Sequence, residues 1–281
     1  MEPMTPLFNH ITVPVDGSTT SDRGVAFALE LARDGGRVSF CSVVDPMLVC
    51  APAAYGAAID PGPLLDALDA DADGFCRSAA VEAGRCHVDA DYSVLHGQSI
   101  MEIQEFAAGN GSDALVIGTH GRSGLSRAAV GSVAEGVLRR VAIPVVCVHE
   151  NDVMRTGPIA VAFDDSPAAH AAFDLALREA AVRGLSLLIV HARSNDHALP
   201  AMPSLDEAVA RSTARGVVAR TLVVNGAASD AILRAAETYD CCMIVTGTHG
   251  RGPLVQLVLG SVALGLVERA SVPVITVRNA A

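Results

Sequence analysis

The chain carries one unusual string twice. Residues 118–121 read Gly-Thr-His-Gly, and after nine residues comes Gly131-Ser132; residues 247–250 read Gly-Thr-His-Gly, and after nine more comes Gly260-Ser261. The two copies are offset by 129 positions (247 − 118). Each follows an apolar run, residues 114–117 or 243–246, and each precedes a helical pattern and a second apolar run that opens with Ile143-Pro144 or Val272-Pro273. A glycine-marked passage from a buried strand into a helix, made twice, calls for two similar α/β domains.

The length of 281 residues suits two domains of ordinary size. The repeat predicts 1–152 and 153–281, with the polar stretch 151–157 as linker. Hydrophobic residues make up 51% of the chain but aromatics only 4%, and Trp is absent, so the core must be built from Ala, Val, Leu and Ile. That suits parallel strands buried on both faces. A net charge of −11 without a dense Lys/Arg run argues against nucleic acid as a partner. Seven cysteines without Cys-x-x-Cys spacing read as reduced core thiols, the adjacent Cys241-Cys242 included. No signal segment and no 18-residue apolar run is found, so a soluble, cytoplasmic protein without membrane contact is expected.

In the first half, strands are expected at 10–15, 37–44, 87–95, 114–117 and 144–148. Helices are expected from Ser18 to about Arg33, at about 64–83, after Ser99, and after Ser132. Residues 46–63, rich in Pro and Gly, read as a long surface loop. The second half repeats the order from a strand at 159–163, with Pro167 at a first helical position and Gly184 at a helix end. Asp16 matches Asp164 at an offset of 148, so the second copy is shorter by 19 residues (148 − 129), mostly in the loop and the helix after it. Strict β-α alternation implies a parallel doubly wound sheet with right-handed crossovers.

Ligands of such sheets bind at the carboxyl ends of the strands where strand order reverses. Asp16 and Gly118, at the ends of strands one and four, converge there. Gly118 and Gly121 are expected to allow a tight turn and close backbone approach. The N–H groups of Gly131 and Ser132, at a helix start, favour an anion, and Arg122 and Arg127 lie within reach of phosphate oxygens. The second copy carries one cation there, Arg251. No Gly-Lys-Ser/Thr and no Gly-x-Gly-x-x-Gly after strand one occurs, so neither a P-loop nor a dinucleotide fingerprint is present.

The spaced Gly-x-x-Gly…Gly-Ser, the early Val-Pro-Val-Asp-Gly-Ser and the closing Ile-Pro-Val-Val resemble the universal stress protein family, in particular its ATP-binding branch, over nearly the whole chain. The resemblance implies two flavodoxin-like (adenine nucleotide alpha hydrolase-like) domains, each a five-stranded parallel sheet of order 3-2-1-4-5 with helices on both faces. It implies ATP, with Mg²⁺, as ligand. Asp16 would contact the nucleoside, Val43 the adenine through its backbone, and Gly118, Gly121, Gly131, Ser132 and Val133 the ribose and phosphates. The matching residues are Asp164, Ala192, Gly247, Gly250, Gly260, Ser261 and Val262. It also implies pairing of the last strands, 144–148 with 273–277, as an internal pseudo-dimer, with a further homodimer left open.

Structural readings compete with these. The glycines serve strand-to-helix turns, the aspartates favour helix starts, and His120 and His249 suit turn hydrogen bonds better than catalysis. The acidic run Asp66, Asp69, Asp71 and Asp73 reads as a solvated helix face. Two copies of the whole constellation favour nucleotide-dependent sensing or regulation by binding. A slow ATP hydrolase or nucleotidyl transferase, and an interaction scaffold with vestigial sites, remain as alternatives.

Overall fold

The computed structural model describes residues 6–47, 60–121, 130–152, 155–193, 203–249 and 259–278. Two compact units emerge, one built from Met1–Leu125 with Gly131–Val141, the other with Ala142–Ala281 as its main body. The described residues form ten strands and eight helices. In the first unit these are β1 (His10–Pro14), α1 (Thr19–Ala32), β2 (Arg37–Val44), α2 (Gly62–Arg85), β3 (Asp89–His96), α3 (Ser99–Gly109), β4 (Ala114–Gly118) and α4 (Ser132–Arg140). The second holds β5 (Val145–Val148), β6 (Ile159–Ala162), α5 (Pro167–Arg183), β7 (Leu187–Arg193), α6 (Pro203–Ala214), β8 (Ala219–Asn225), α7 (Ala228–Thr238), β9 (Met243–Gly247), α8 (Ser261–Arg269) and β10 (Val274–Val277).

The strand order 3-2-1-4-5 recurs in both repeats. β1 lies between β2 and β4, and β2 pairs β3, all parallel. In the second repeat β6 lies between β7 and β9, with β8 beyond β7 and β10 beyond β9, again all parallel. Central strands are buried on both faces: Ile11 and Val13, and the run Ile159–Ala162, are core. The edge strands β3 and β8 mix exposed and half-buried positions. Such edges tolerate polar residues because one side meets water.

Helix starts follow local chemistry. Ser18 and Ser166 are extended N-caps whose hydroxyls accept from Ser21 N and Ala169 N, both at 3.2 Å. Gly184 ends α5 in a left-handed conformation at φ 66°. Where the first repeat has Gly17 at φ 74°, the second has Asp165 at φ 65°, a residue type that tolerates this region. The 19-residue difference is visible in the helices, since α2 has 24 residues and α6 has 12.

Several boundaries differ from the sequence reading, most by a single residue. α2 starts at Gly62 rather than 64, because Pro63 suits the first helical turn. β3 starts at Asp89 rather than 87, because His87 sits at φ 58° and makes the turn out of α2. β7 spans Leu187–Arg193, where the repeated order calls for the second strand of that half. Of the expected loop 46–63, residues 48–59 lie outside the described residues, as do 153–154 of the expected linker. The acidic run is a solvated face in which Asp69 pairs with His96 and Asp73 with Arg77.

β5 pairs with β10 antiparallel, Val145 opposite Thr276 and Cys147 opposite Val274, so the expected pairing of the two closing strands is present. The Thr276 hydroxyl donates to the Val145 carbonyl at 3.3 Å. Beyond β5, the chain is tied down at once. The His149 N–H donates to Asp152 Oδ2 at 2.8 Å, and ring Nε2 donates to the Val267 carbonyl at 2.7 Å.

Cys41, Cys76, Cys147, Cys241 and Cys242 are buried free thiols, whereas Cys86 is exposed. Burial pushes the Cys76 and Cys241 thiols up to about 12 and Cys242 to about 11, and raises Cys41 and Cys147 further. Among the described cysteines, therefore, only Cys86 is expected to react with a thiolate-selective alkylating agent at pH 8 in the native protein. Peptide mapping after a short pulse checks this; labelling of Cys242 at the rate of Cys86 would contradict it.

Candidate functional site

At the carboxyl ends of β1 and β4 the first repeat folds its motif around a cavity of about 260 Å³. Asp16 follows β1. Its Oδ1 accepts from Ser18 N at 3.0 Å and from the Ser18 hydroxyl at 2.6 Å. β4 delivers Gly118, and a Cβ there would stand 2.8 Å from the Thr20 carbonyl carbon. The first turn of α1 thus lies directly on the end of β4. The Thr20 hydroxyl, on that turn, donates to the His120 carbonyl. A Cβ at Gly121 would stand 2.8 Å from Asp16 Oδ2, so the two motifs meet. The chain returns at Gly131, whose N–H donates to the Thr119 carbonyl at 2.7 Å and which caps α4 in an extended conformation. No side chain caps α4, leaving the amides of Ser132, Val133 and Ala134 as its first-turn donors.

The second repeat builds the same cradle around about 350 Å³. Asp164 Oδ1 accepts from Ser166 N at 3.1 Å. A Cβ at Gly247 would meet the Ala168 carbonyl carbon at 2.8 Å. Gly260 N donates to the Thr248 carbonyl at 2.8 Å, and α8 likewise starts without a side-chain cap.

Asp16, Val43, Gly118, Gly121, Gly131, Ser132 and Val133 all line the first cavity. Asp164, Ala192, Gly247, Gly260, Ser261 and Val262 line the second. Arg122, Arg127, Gly250 and Arg251 lie outside the described residues. Two physical reasons need correction. Gly118 and Gly121 are absent from the left-handed positions, which include Gly17 and Gly97; their missing side chains make room for α1 and Asp16 rather than for a sharp turn. The Gly131 N–H is not free for an anion, because Thr119 takes it, so the donors begin at Ser132.

Sequence reasoning missed Ser21, Cys41, Ser42, Ser99 and Ile103, which also line the first cavity. Ser42 adjoins the expected Val43, and Ser99 opens α3, so strand ends and helix starts facing the same crevice were the available signal. At matching positions the second cavity has Ala169 for Ser21, Val190 for Cys41 and Ala228 for Ser99. His191 stands where Ser42 does, and its Nδ1 donates to the Phe163 carbonyl at 2.8 Å. Phe163 meets His170 edge-on at 5.0 Å, and His170 Nε2 lies 3.0 Å from Asp165 Oδ1. The second cavity keeps the backbone cradle and loses hydroxyls.

A parallel α/β unit with a glycine cradle at the strand ends, made twice, defines a tandem of two doubly wound α/β domains. The universal stress protein family matches residues 7–149 and again 156–278, and the chain belongs to that family as a tandem of two such domains. A universal stress protein of Mycobacterium tuberculosis is 31% identical over 190 residues, a match covering 60% of this chain and 63% of the relative, just under two thirds of its length. One from Mycolicibacterium smegmatis is 26% identical over 294 residues, covering 95% of this chain and 96% of the relative. The solved structure of a universal stress protein from Archaeoglobus fulgidus shares the fold at a TM-score of 0.79, with 21% identity and 96% of both chains covered. Among the described residues no helix is long and apolar enough to cross a membrane.

If Gly118 is there for packing, Gly118→Ala destabilises the fold by about 1–3 kcal/mol. Gly74→Ala, on an open face of α2 where a Cβ meets nothing within 4 Å, stabilises by about 0.5–1 kcal/mol. Denaturant midpoints of the two variants check the contrast; equal midpoints would remove the packing argument.

Proposed function

We propose that the protein binds ATP, accompanied by Mg²⁺, in each of its half-chains 1–152 and 153–281, and acts as a nucleotide-dependent sensor or regulator in a stress response. The observation that carries this reading is the convergence, in both repeats, of an aspartate, a glycine-walled strand end and an uncapped helix start on one cavity. The cradle fits phosphate: no Cβ stands at Gly121 or Gly131, and the first-turn amides of α4 supply donors beside the positive end of the helix. Asp16 and Asp164 are assigned to the nucleoside. The backbones of Val43 and Ala192 are assigned to the adenine, and Ser132, Val133, Ser261 and Val262 to the phosphates. Mg²⁺ would travel with the phosphates as their counter-ion. The role is regulation through binding rather than turnover. Buried free cysteines support a reducing compartment such as the cytoplasm.

Freshly purified protein, denatured and analysed by mass spectrometry, is expected to release an adenine nucleotide. Adding ATP and Mg²⁺ to nucleotide-free protein is expected to stabilise it, by about 2.7 kcal/mol at a hundredfold excess over Kd. Asp16→Ala should lower the first site's affinity. Protein that carries no nucleotide and shows no thermal shift would instead favour a scaffold with vestigial sites.

A further inference from the structure

The two sites share a backbone but differ in how the aspartate is held. In the first, the Ser18 hydroxyl has three neighbours besides the helix amide it caps: Asp16 Oδ1 at 2.6 Å, Thr20 Oγ1 at 3.1 Å and the His120 carbonyl at 3.5 Å. A serine hydroxyl has one proton to give. Thr20 supplies the bond to the His120 carbonyl itself, so the Ser18 proton goes to the carboxylate. Asp16 Oδ1 is thereby held by both Ser18 N and Ser18 Oγ.

The second repeat has Ala168 where the first has Thr20. Alanine has no hydroxyl to offer the turn. Ser166 donates its single proton to the His249 carbonyl at 3.3 Å, and among the described residues Asp164 Oδ1 accepts from the Ser166 N–H at 3.1 Å and not from the hydroxyl. One missing hydroxyl, at a residue lining neither cavity, redirects the cap serine and loosens the aspartate that faces the ligand.

We propose that Thr20 is a positioning residue that makes the first site the tighter of the two, by releasing the Ser18 hydroxyl to orient Asp16, and that Ala168 makes the second site the weaker. This rests on the nucleotide reading above. A carboxylate held by an N–H and an O–H is pre-set in one orientation before the ligand arrives, and pre-organisation lowers the cost of binding. The space at position 168 matches the first repeat: the missing Cβ of Gly247 faces Ala168 at 2.8 Å just as that of Gly118 faces Thr20 at 2.8 Å, and both residues are 5% exposed. Ala168→Thr is therefore the reciprocal substitution at an equivalent backbone position.

Calorimetric titration of the full chain with ATP and Mg²⁺ tests this, with Asp164→Ala used to assign the first site. Thr20→Val, which keeps the volume and removes the hydroxyl, is expected to weaken the first site by about tenfold, the worth of one charge-assisted hydrogen bond. Thr20→Ser restores the affinity. Ala168→Thr tightens the second site severalfold without altering either repeat's cations, which separates the hydroxyl effect from the difference in arginines. Unchanged affinities in both Thr20→Val and Ala168→Thr, with binding intact, overturn this inference alone. Failure of Thr20→Ser to rescue overturns the hydroxyl's role. No binding by the unmodified protein overturns it together with the nucleotide reading.

Discussion

Each unit depends on the approach of one helix turn to one strand end. The first turn of α1 sits against Gly118, and that of α5 against Gly247, so closely that a single Cβ would have to displace backbone. This contact brings the strand-one aspartate beside the strand-four turn. It links positions 98 residues apart in the first repeat (118 − 20) and 79 in the second (247 − 168), and the rest of the site is arranged around it. The Gly131 and Gly260 amides then tie the returning chain to the Thr119 and Thr248 carbonyls, closing the cradle from the other side.

Side chains are laid over this shared backbone in two different ways. The first cavity carries Ser21, Cys41 and Ser99 where the second carries Ala169, Val190 and Ala228. The exchanges leave strand pairing and the serine caps alone, because none of them falls on a cap or a cradle glycine. Polar chemistry at the site can therefore drift while the fold persists, since the fold is set by glycine placement and buried aliphatic strands rather than by the hydroxyls.

The doubled motif, the alternation of apolar runs with helical patterns and the matching aspartates were legible in the sequence, because glycine spacing and burial leave a linear trace. Gly184 and the helix start at Ser18 were legible for the same reason. The purpose of Gly118 was misread, since a glycine needed for a neighbour's proximity looks the same in sequence as one needed for a turn. Ser99 and Thr20 were missed as site determinants because their relevance arises only when α3 and α1 fold back over the strand ends. The division of one serine proton between a carboxylate and a carbonyl has no sequence signature at all.

The closing strand of the first repeat has a further meaning. β5 finds its antiparallel partner in β10, at the far end of the same polypeptide, through Val145 to Cys147. Two separate single-domain chains could make such a pairing only by encounter, at a strength set by their concentration. A covalent tandem makes it a unimolecular event. Dilution thus leaves this pairing intact, and the chain keeps both cradles in fixed one-to-one stoichiometry whatever its abundance.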